Sequence, residues 1–263
     1  MSKTSSPASR RAAMLREMGL APLWKLRQPS AQASGESADA PQVDAPAPAQ
    51  AVPQVQVAAE PTTATASGDE RASAIAVMDW AQLRASVAAC RACDLCKDRQ
   101  QAVLGVGDET ADWLFVGEGP GAEEDRRGEP FVGQAGKLLD AMLAAIGLQR
   151  GRDVYIANAV KCRPAGNRTP TAEEMAACRP YLERQIALLQ PRLIVALGRP
   201  AAQTLLQSEI KISAARGRLF DRAGIPVVIT YHPAYLLRTL NDKAKAWEDL
   251  CFARRTMAGL KLK

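Results

Sequence analysis

The sequence predicts an α/β fold with a parallel sheet covered on both faces. Two observations carry the prediction. Four short apolar runs have the length and composition of buried strands, and stretches with helical spacing alternate with them. A third observation points toward function. The most distinctive turns directly follow strands, where open parallel sheets bind their ligands.

The folded part begins near Met78. DWLFVGE (112–118) is the first strand, and GQAGKLLDAMLAAIGL (133–148) reads as a helix starting near Gln134. VYIANAV (154–160) is the second strand. TAEEMAACRPYLERQIALLQ (171–190) is a helix opened by Thr171 with Glu174 three residues on, a capping box. RLIVALG (192–198) is the third strand, followed by the helical GRPAAQTLLQ (198–207). PVVITYH (226–232) is the fourth, and a last helix runs from about Asp242 to Met257.

Residues 1–77 read as an N-terminal extension. Residues 28–76 are mostly Ala, Pro, Gln, Ser and Thr, too poor in large apolar side chains to offset their ordering entropy, and are expected to be a disordered linker. Before them, SRRAAMLREMGLAPLWKLR (9–27) is a short, partly amphipathic segment. It reads either as a docking piece for a protein partner or the body, or as a frayed helix.

Charge narrows the partner. The net charge is +6, and residues 1–77 hold seven Lys and Arg against seven Asp and Glu, so the excess lies on 78–263. A basic folded part suits a polyanion, nucleic acid being the commonest; a solvated basic surface is the plain alternative. No run of about 18 apolar residues spans a membrane. The N-terminus lacks the apolar core of a secretory signal, so a cytoplasmic location is expected.

Three strand-end motifs carry chemistry. VGEGPGAEED (116–125) puts glycines and a proline where exposed amides can face an anion. It matches neither a P-loop nor the dinucleotide fingerprint. Its carboxylates Glu118, Glu123, Glu124 and Asp125 make acid/base candidates on a basic protein. Phe131, between Pro130 and Gly133, is either core or a stacking platform for a base. His232, the only histidine, stands in TYHPAYLLRT (230–239), on a loop past the fourth strand.

The cysteines make the most specific single pattern. CRACDLC (90–96) offers two overlapping C-x2-C pairs, and Cys162 and Cys178 stand apart with fifteen residues between them. Four thiolates in two groups suit either zinc or an iron–sulfur cluster, and spacing does not separate the two.

Taken together, VGEGPGAEED, GEPFVGQAGKLL, VYIANAVKCRP, NRTP and HPAYLLR, in this order and with these cysteines, resemble the family 4 uracil-DNA glycosylases, the iron–sulfur branch of that superfamily. The resemblance covers about Met78 to Met257, within a domain of 78–263. It implies a three-layer α/β/α sandwich with a central four-stranded parallel sheet. It implies a [4Fe–4S] cluster on Cys90, Cys93, Cys162 and Cys178, leaving Cys96 and Cys251 outside.

The resemblance also implies roles. The substrate is uracil-containing DNA, single- or double-stranded, taken by a monomer. The base is flipped out to be reached. Phe131 stacks on it, Asn158 reads N3–H and O4, and Gly119, Pro120 and Gly121 lend the turn's amides. His232 stabilises the anion on O2. Leu236 and Leu237 form the wedge, and Arg238 holds a phosphate. Glu118 shapes the pocket. Gly119 stands where the best-known branch has a water-positioning aspartate, so Glu124 and Asn167 become candidates for the water. A relative that links itself to DNA through a histidine needs a second histidine and is excluded. The competing reading is a non-catalytic, metal-containing nucleic-acid-binding module.

Overall fold

The computed structural model describes residues 64–262, with side chains from residue 69. The amphipathic segment 9–27 and most of the expected linker lie outside them. The elements are α1 (Ala64–Ala76), α2 (Trp80–Ala89), α3 (Leu95–Asp98), β1 (Val106–Gly107), β2 (Trp113–Gly117), α4 (Ala122–Arg127), α5 (Gln134–Ala145) and β3 (Val154–Asn158). They continue with α6 (Ala172–Leu189), β4 (Leu193–Leu197), α7 (Arg199–Leu206), α8 (Ile212–Ala215), β5 (Leu219–Arg222), β6 (Ile225–Thr230), α9 (Pro233–Arg238) and α10 (Lys243–Lys261).

The sheet has six strands in the order β1-β3-β2-β4-β6-β5. The four strands expected from sequence are its parallel centre. Every residue of β2, β3 and β4 is buried, which is why each reads as an unbroken apolar run. The expected four-stranded sheet is thus corrected to a mixed one. Short β1 and β5 pair antiparallel at the two edges. They escaped notice because β1 has two residues and β5 alternates exposed with half-buried positions.

Alternate strand residues feed two cores. Phe115, Ile156 and Val195 face Leu139, Leu143 and Leu250 from α5 and α10. Leu114, Val116 and Ile194 pack with Leu182, Ile186 and Leu205 from α6 and α7. The capping box at Thr171 forms as read, with the Thr171 side chain accepting from the Glu174 N–H and Glu174 Oε2 accepting from the Thr171 N–H at 2.8 Å. Among the described residues no helix is long and apolar enough to cross a membrane.

Parallel pairing fixes where the strands end. Gly117 lies opposite Asn158, and Leu197 opposite Thr230. The chain leaves β2 toward β3 and later crosses to β4 on the other side. The crevice between β2 and β4 is therefore a topological switch point.

The helix α1 departs from the expected linker, which ran to residue 76. Ile75 is 2% exposed and packs with Leu83, Val87 and Tyr181. The Arg71 guanidinium donates to the Ala177 carbonyl at 2.9 Å and lies over the Tyr181 ring. One isoleucine and one arginine in a run of small residues are too little to register as a helical period. Ile75→Ala should lower unfolding free energy by about 2–5 kcal/mol, the range for emptying a buried aliphatic site. Denaturant melts would check this, and an unchanged midpoint would return α1 to the linker.

Candidate active site

The loops after β2, β3, β4 and β6 enclose one cavity of about 880 Å³. It gathers Glu118, Gly119, Pro120, Gly121, Glu124, Phe131, Asn158, Asn167, His232 and Arg238. Ten residues from three separate segments, after β2, at and after the end of β3, and after β6, thus meet in one place.

Asn158 ends β3 and is 1% exposed, yet neither Oδ1 nor Nδ2 has a partner. A buried amide with both ends unpaired is rare and costs about 1–3 kcal/mol per group. Phe131 lies beside it with a strained positive φ of 55°. A Cβ at Gly117 would stand 2.5 Å from both Asn158 Oδ1 and Phe131 Cζ, so only glycine admits this pair. The Phe131 and His232 rings are 5.5 Å apart, tilted by 33°.

His232 is not on a free loop. It caps α9, with Nδ1 accepting from the Ala234 N–H at 3.2 Å. That bond requires a bare Nδ1, so the neutral ring carries its proton on Nε2. Burial, helped by the charge of Arg238 and opposed by Glu124, drives its pKa down to about 4. Two residues earlier, the buried Thr230 hydroxyl donates to Asp249 Oδ2 at 2.8 Å. Arg216 Nε donates to the same oxygen at 2.8 Å, which anchors the end of β6.

The carboxylates divide by environment. Glu118 is half-buried; burial raises its pKa, against a hydrogen bond from Thr169 and the charge of Arg199. Glu124 is committed. Its Oε1 accepts from the Val132 and Gly133 amides at 2.9 and 3.0 Å, and its Oε2 from the Gly121 amide at 3.2 Å. It ties the Gly-Pro turn to the Phe131 loop. Asn167 is exposed at the rim, its Oδ1 accepting from Arg163 Nε at 2.7 Å.

The two leucines separate. Leu236 is 1% exposed and packs in the core beneath α9, so it is corrected from wedge to core residue. Leu237, on the outer face of the same helix, is 41% exposed.

Cys90, Cys93, Cys96, Cys162 and Cys178 line a second, smaller cavity. Cys251, on α10, is not among them. Among the described residues no three Cys, His, Asp or Glu side chains close on a single ion; the thiols wall a space instead. Cationic groups surround it. Arg99 Nη1 donates to Cys162 Sγ at 2.8 Å, and Arg71 Nη2 lies 3.6 Å from Cys90 Sγ. The Lys161 N–H donates to Cys178 Sγ at 3.2 Å. The Lys161 side chain is 1% exposed, and its Nζ donates to the Asn158 carbonyl at 2.7 Å and to Gln185 Oε1. Burial lowers its pKa to about 8, with the Cys178 and Cys162 thiols acting against that fall. A buried cation is costly without a counter-charge. Burial also pushes the Cys178 thiol up to about 12, so the side chain is a neutral thiol at neutral pH unless a metal displaces its proton. This donor set fits an anionic, thiolate-bound centre.

The uracil DNA glycosylase superfamily model matches residues 104–251. A type-4 uracil-DNA glycosylase of Archaeoglobus fulgidus is 50% identical over 159 residues, covering 57% of this chain and 79% of the relative. The chain belongs to the type-4 uracil-DNA glycosylases. Two more type-4 relatives agree. That of Pyrobaculum aerophilum is 45% identical over 184 residues (66% of this chain, 92% of the relative), and that of Thermotoga maritima 46% over 158 residues (59% and 82%).

Sequence reasoning on this type-4 chain missed Gly198, Arg199, Tyr231 and Tyr235 of the cavity wall. Gly198 had a signal, a glycine closing the third strand run. Its φ is 93°, and a Cβ there would press to 3.0 Å on the Cβ of His232. The tyrosines, stacked with centroids 5.1 Å apart, stand in no sequence pattern that marks them for the cavity.

The folded pKa of His232 lies below its unfolded value of about 6.5. The fold therefore favours the neutral ring. That contribution is complete above about pH 6.5 and is lost as pH falls toward about 4. Imidazole proton shifts should titrate near 4, and no loss of activity between pH 5.5 and 8 should trace to this ring. A midpoint near 6.5 would mean an open, solvated imidazole.

Proposed function

We propose that the cavity receives a uracil nucleotide turned out of DNA and that the chain hydrolyses its N-glycosidic bond, leaving an abasic site for repair. One observation carries this reading: the buried, unpartnered Asn158 amide beside the Phe131 and His232 rings. A ligand with one donor and one acceptor on a single edge satisfies that amide. Uracil does so with N3–H toward Oδ1 and O4 toward Nδ2, whereas cytosine presents the reverse. Phe131 supplies the stacking face, and a pocket wall meeting the methyl group excludes thymine.

Cleavage of the C1′–N1 bond sends its electron pair into the base, and negative charge gathers on O2. The sugar, left cationic, is captured by water; the proton that water releases passes through solvent to the uracil anion, so that neutral uracil leaves. Neutral His232, its proton on Nε2, donates a hydrogen bond to O2 without giving up that proton. Amides of the turn at Gly119–Gly121 add further dipoles. Glu124 spends its oxygens on three amides and serves to hold the two loops together. Asn167 at the rim is therefore the residue we assign to the water. Glu118, half-buried on the same cavity lining as Thr169, shapes the adjoining wall. Leu237 enters the vacated stack, and Arg238 takes a phosphate.

We assign a [4Fe–4S] cluster to Cys90, Cys93, Cys162 and Cys178. These four lie in one apolar cluster with Val87, Leu95 and Tyr181, which supports this pair over one using Cys96. When bound, the cluster joins the segment after α2 to the loop after β3 and to α6, and it contributes no step to excision. Residues 78–263, together with α1, form the glycosylase domain in this reading.

Incubation with a uracil-containing oligonucleotide followed by alkali should yield strand breaks at uracil alone. A binding module would yield none. His232→Ala should slow single-turnover excision by about 10²–10³, the scale of one lost preorganised donor. Binding should fall far less, since phosphate contacts dominate affinity. A mutant that loses activity only in step with its folded fraction would reduce His232 to scaffold. Protein purified without oxygen should be brown and hold about four irons. Cys90→Ala should lose them and Cys96→Ala should keep them, and the reverse result would move the C-x2-C pair to Cys93 and Cys96.

A further inference from the structure

Phe131 is held from behind. A non-glycine residue at positive φ costs about 1–2 kcal/mol and persists only where its surroundings impose it. Two features impose it here. On α5, Gly136 leaves room for the Phe131 carbonyl, since a Cβ at 136 would stand 1.8 Å from that oxygen. On the other side stands Arg150, in the loop between α5 and β3. Its Nη1 donates to the Pro130 carbonyl at 2.9 Å and its Nη2 to the Phe131 carbonyl at 2.7 Å. Its Nε donates to Asp140 Oδ1 at 2.9 Å. The planar fork thus grips two consecutive carbonyls while the carboxylate braces it, which a lysine's single ammonium cannot reproduce. Arg150 does not line the cavity.

We propose that Arg150 is a positioning residue for base recognition. Braced by Asp140, it pins the Pro130 and Phe131 carbonyls and so holds Phe131 in the strained backbone that turns its ring over Gly117 and toward His232. The inference rests on the reading of Phe131 as the uracil platform. Without the fork, the peptide can relax to negative φ, and the ring leaves the face of the base site.

The test compares Arg150→Met, Arg150→Lys, Asp140→Asn and Phe131→Leu on the full-length, metal-loaded protein. Four quantities are read: inhibition by free uracil, the single-turnover rate, binding to an oligonucleotide with an abasic-site analogue, and melting temperature. Free uracil reports the platform, whereas the abasic analogue has no base to stack. Arg150→Met should weaken uracil inhibition about tenfold or more, the scale of losing hydrogen bonds from a charged donor. It should also slow excision, with abasic-site binding within about twofold of the parent on the same scale. Arg150→Lys should recover part of the loss, and Asp140→Asn should show a smaller loss of the same kind. Parent-like uracil inhibition in Arg150→Met, or equal losses of uracil and abasic-site binding that follow the folded fraction, would overturn the proposal. If Arg150→Met does not fold, Arg150→Lys and Asp140→Asn carry the same comparison. Unchanged uracil inhibition in Phe131→Leu would instead overturn the platform reading.

Discussion

The site depends on a missing side chain at Gly117. Parallel pairing sets Gly117 opposite Asn158, and the Phe131 ring comes down over the same point. A single methyl group there would strike both. The end of β2 must be bare so that a polar amide and an aromatic face can occupy one small volume. The strained Phe131 backbone, the close approach at Gly136 and the bridging Glu124 carboxylate all keep that volume in shape. Rigid strands supply the positions, and loops bent at real cost supply the chemistry.

Lys161 connects the two cavities. Its side chain reaches the Asn158 carbonyl, while its backbone N–H reaches Cys178. The thiol-lined space and the end of β3 therefore share one residue. A cation in this place is tolerable next to anionic sulfur and costly next to neutral thiols. The shell of Arg71, Arg99 and Lys161 is electrostatically suited to an anionic centre inside it.

Much of this was legible in the sequence because burial writes a strong pattern. The four central strands fall within a residue or two of the apolar runs, and the Thr171 cap forms as read. What was hidden had physical reasons. The edge strands are short or half-wet, so they make no apolar run. The helix α1 is anchored mainly by Ile75 and Arg71. Leu236 and Leu237 are neighbours in sequence, and only the phase of α9 decides which is buried. The φ of Phe131 and the grip of Arg150 arise between segments, and no local pattern encodes them. The cavity itself was readable to the extent that its residues stand in strand-end motifs, whereas no pattern marked Arg199, Tyr231 and Tyr235 of its wall.

The two short antiparallel strands at the margins have a consequence for behaviour in a crowded solution. A parallel centre of buried Val, Ile and Leu would, if left open, offer long rows of unpaired amides and carbonyls to any similar chain. Here one margin ends in two residues at Val106–Gly107. The other ends in a tight hairpin whose outer strand carries Asp221 and Arg222. Short, charged margins are poor templates for intermolecular pairing. An enzyme working among many chains is thereby guarded against edge-to-edge aggregation by six residues of backbone that take no part in its chemistry.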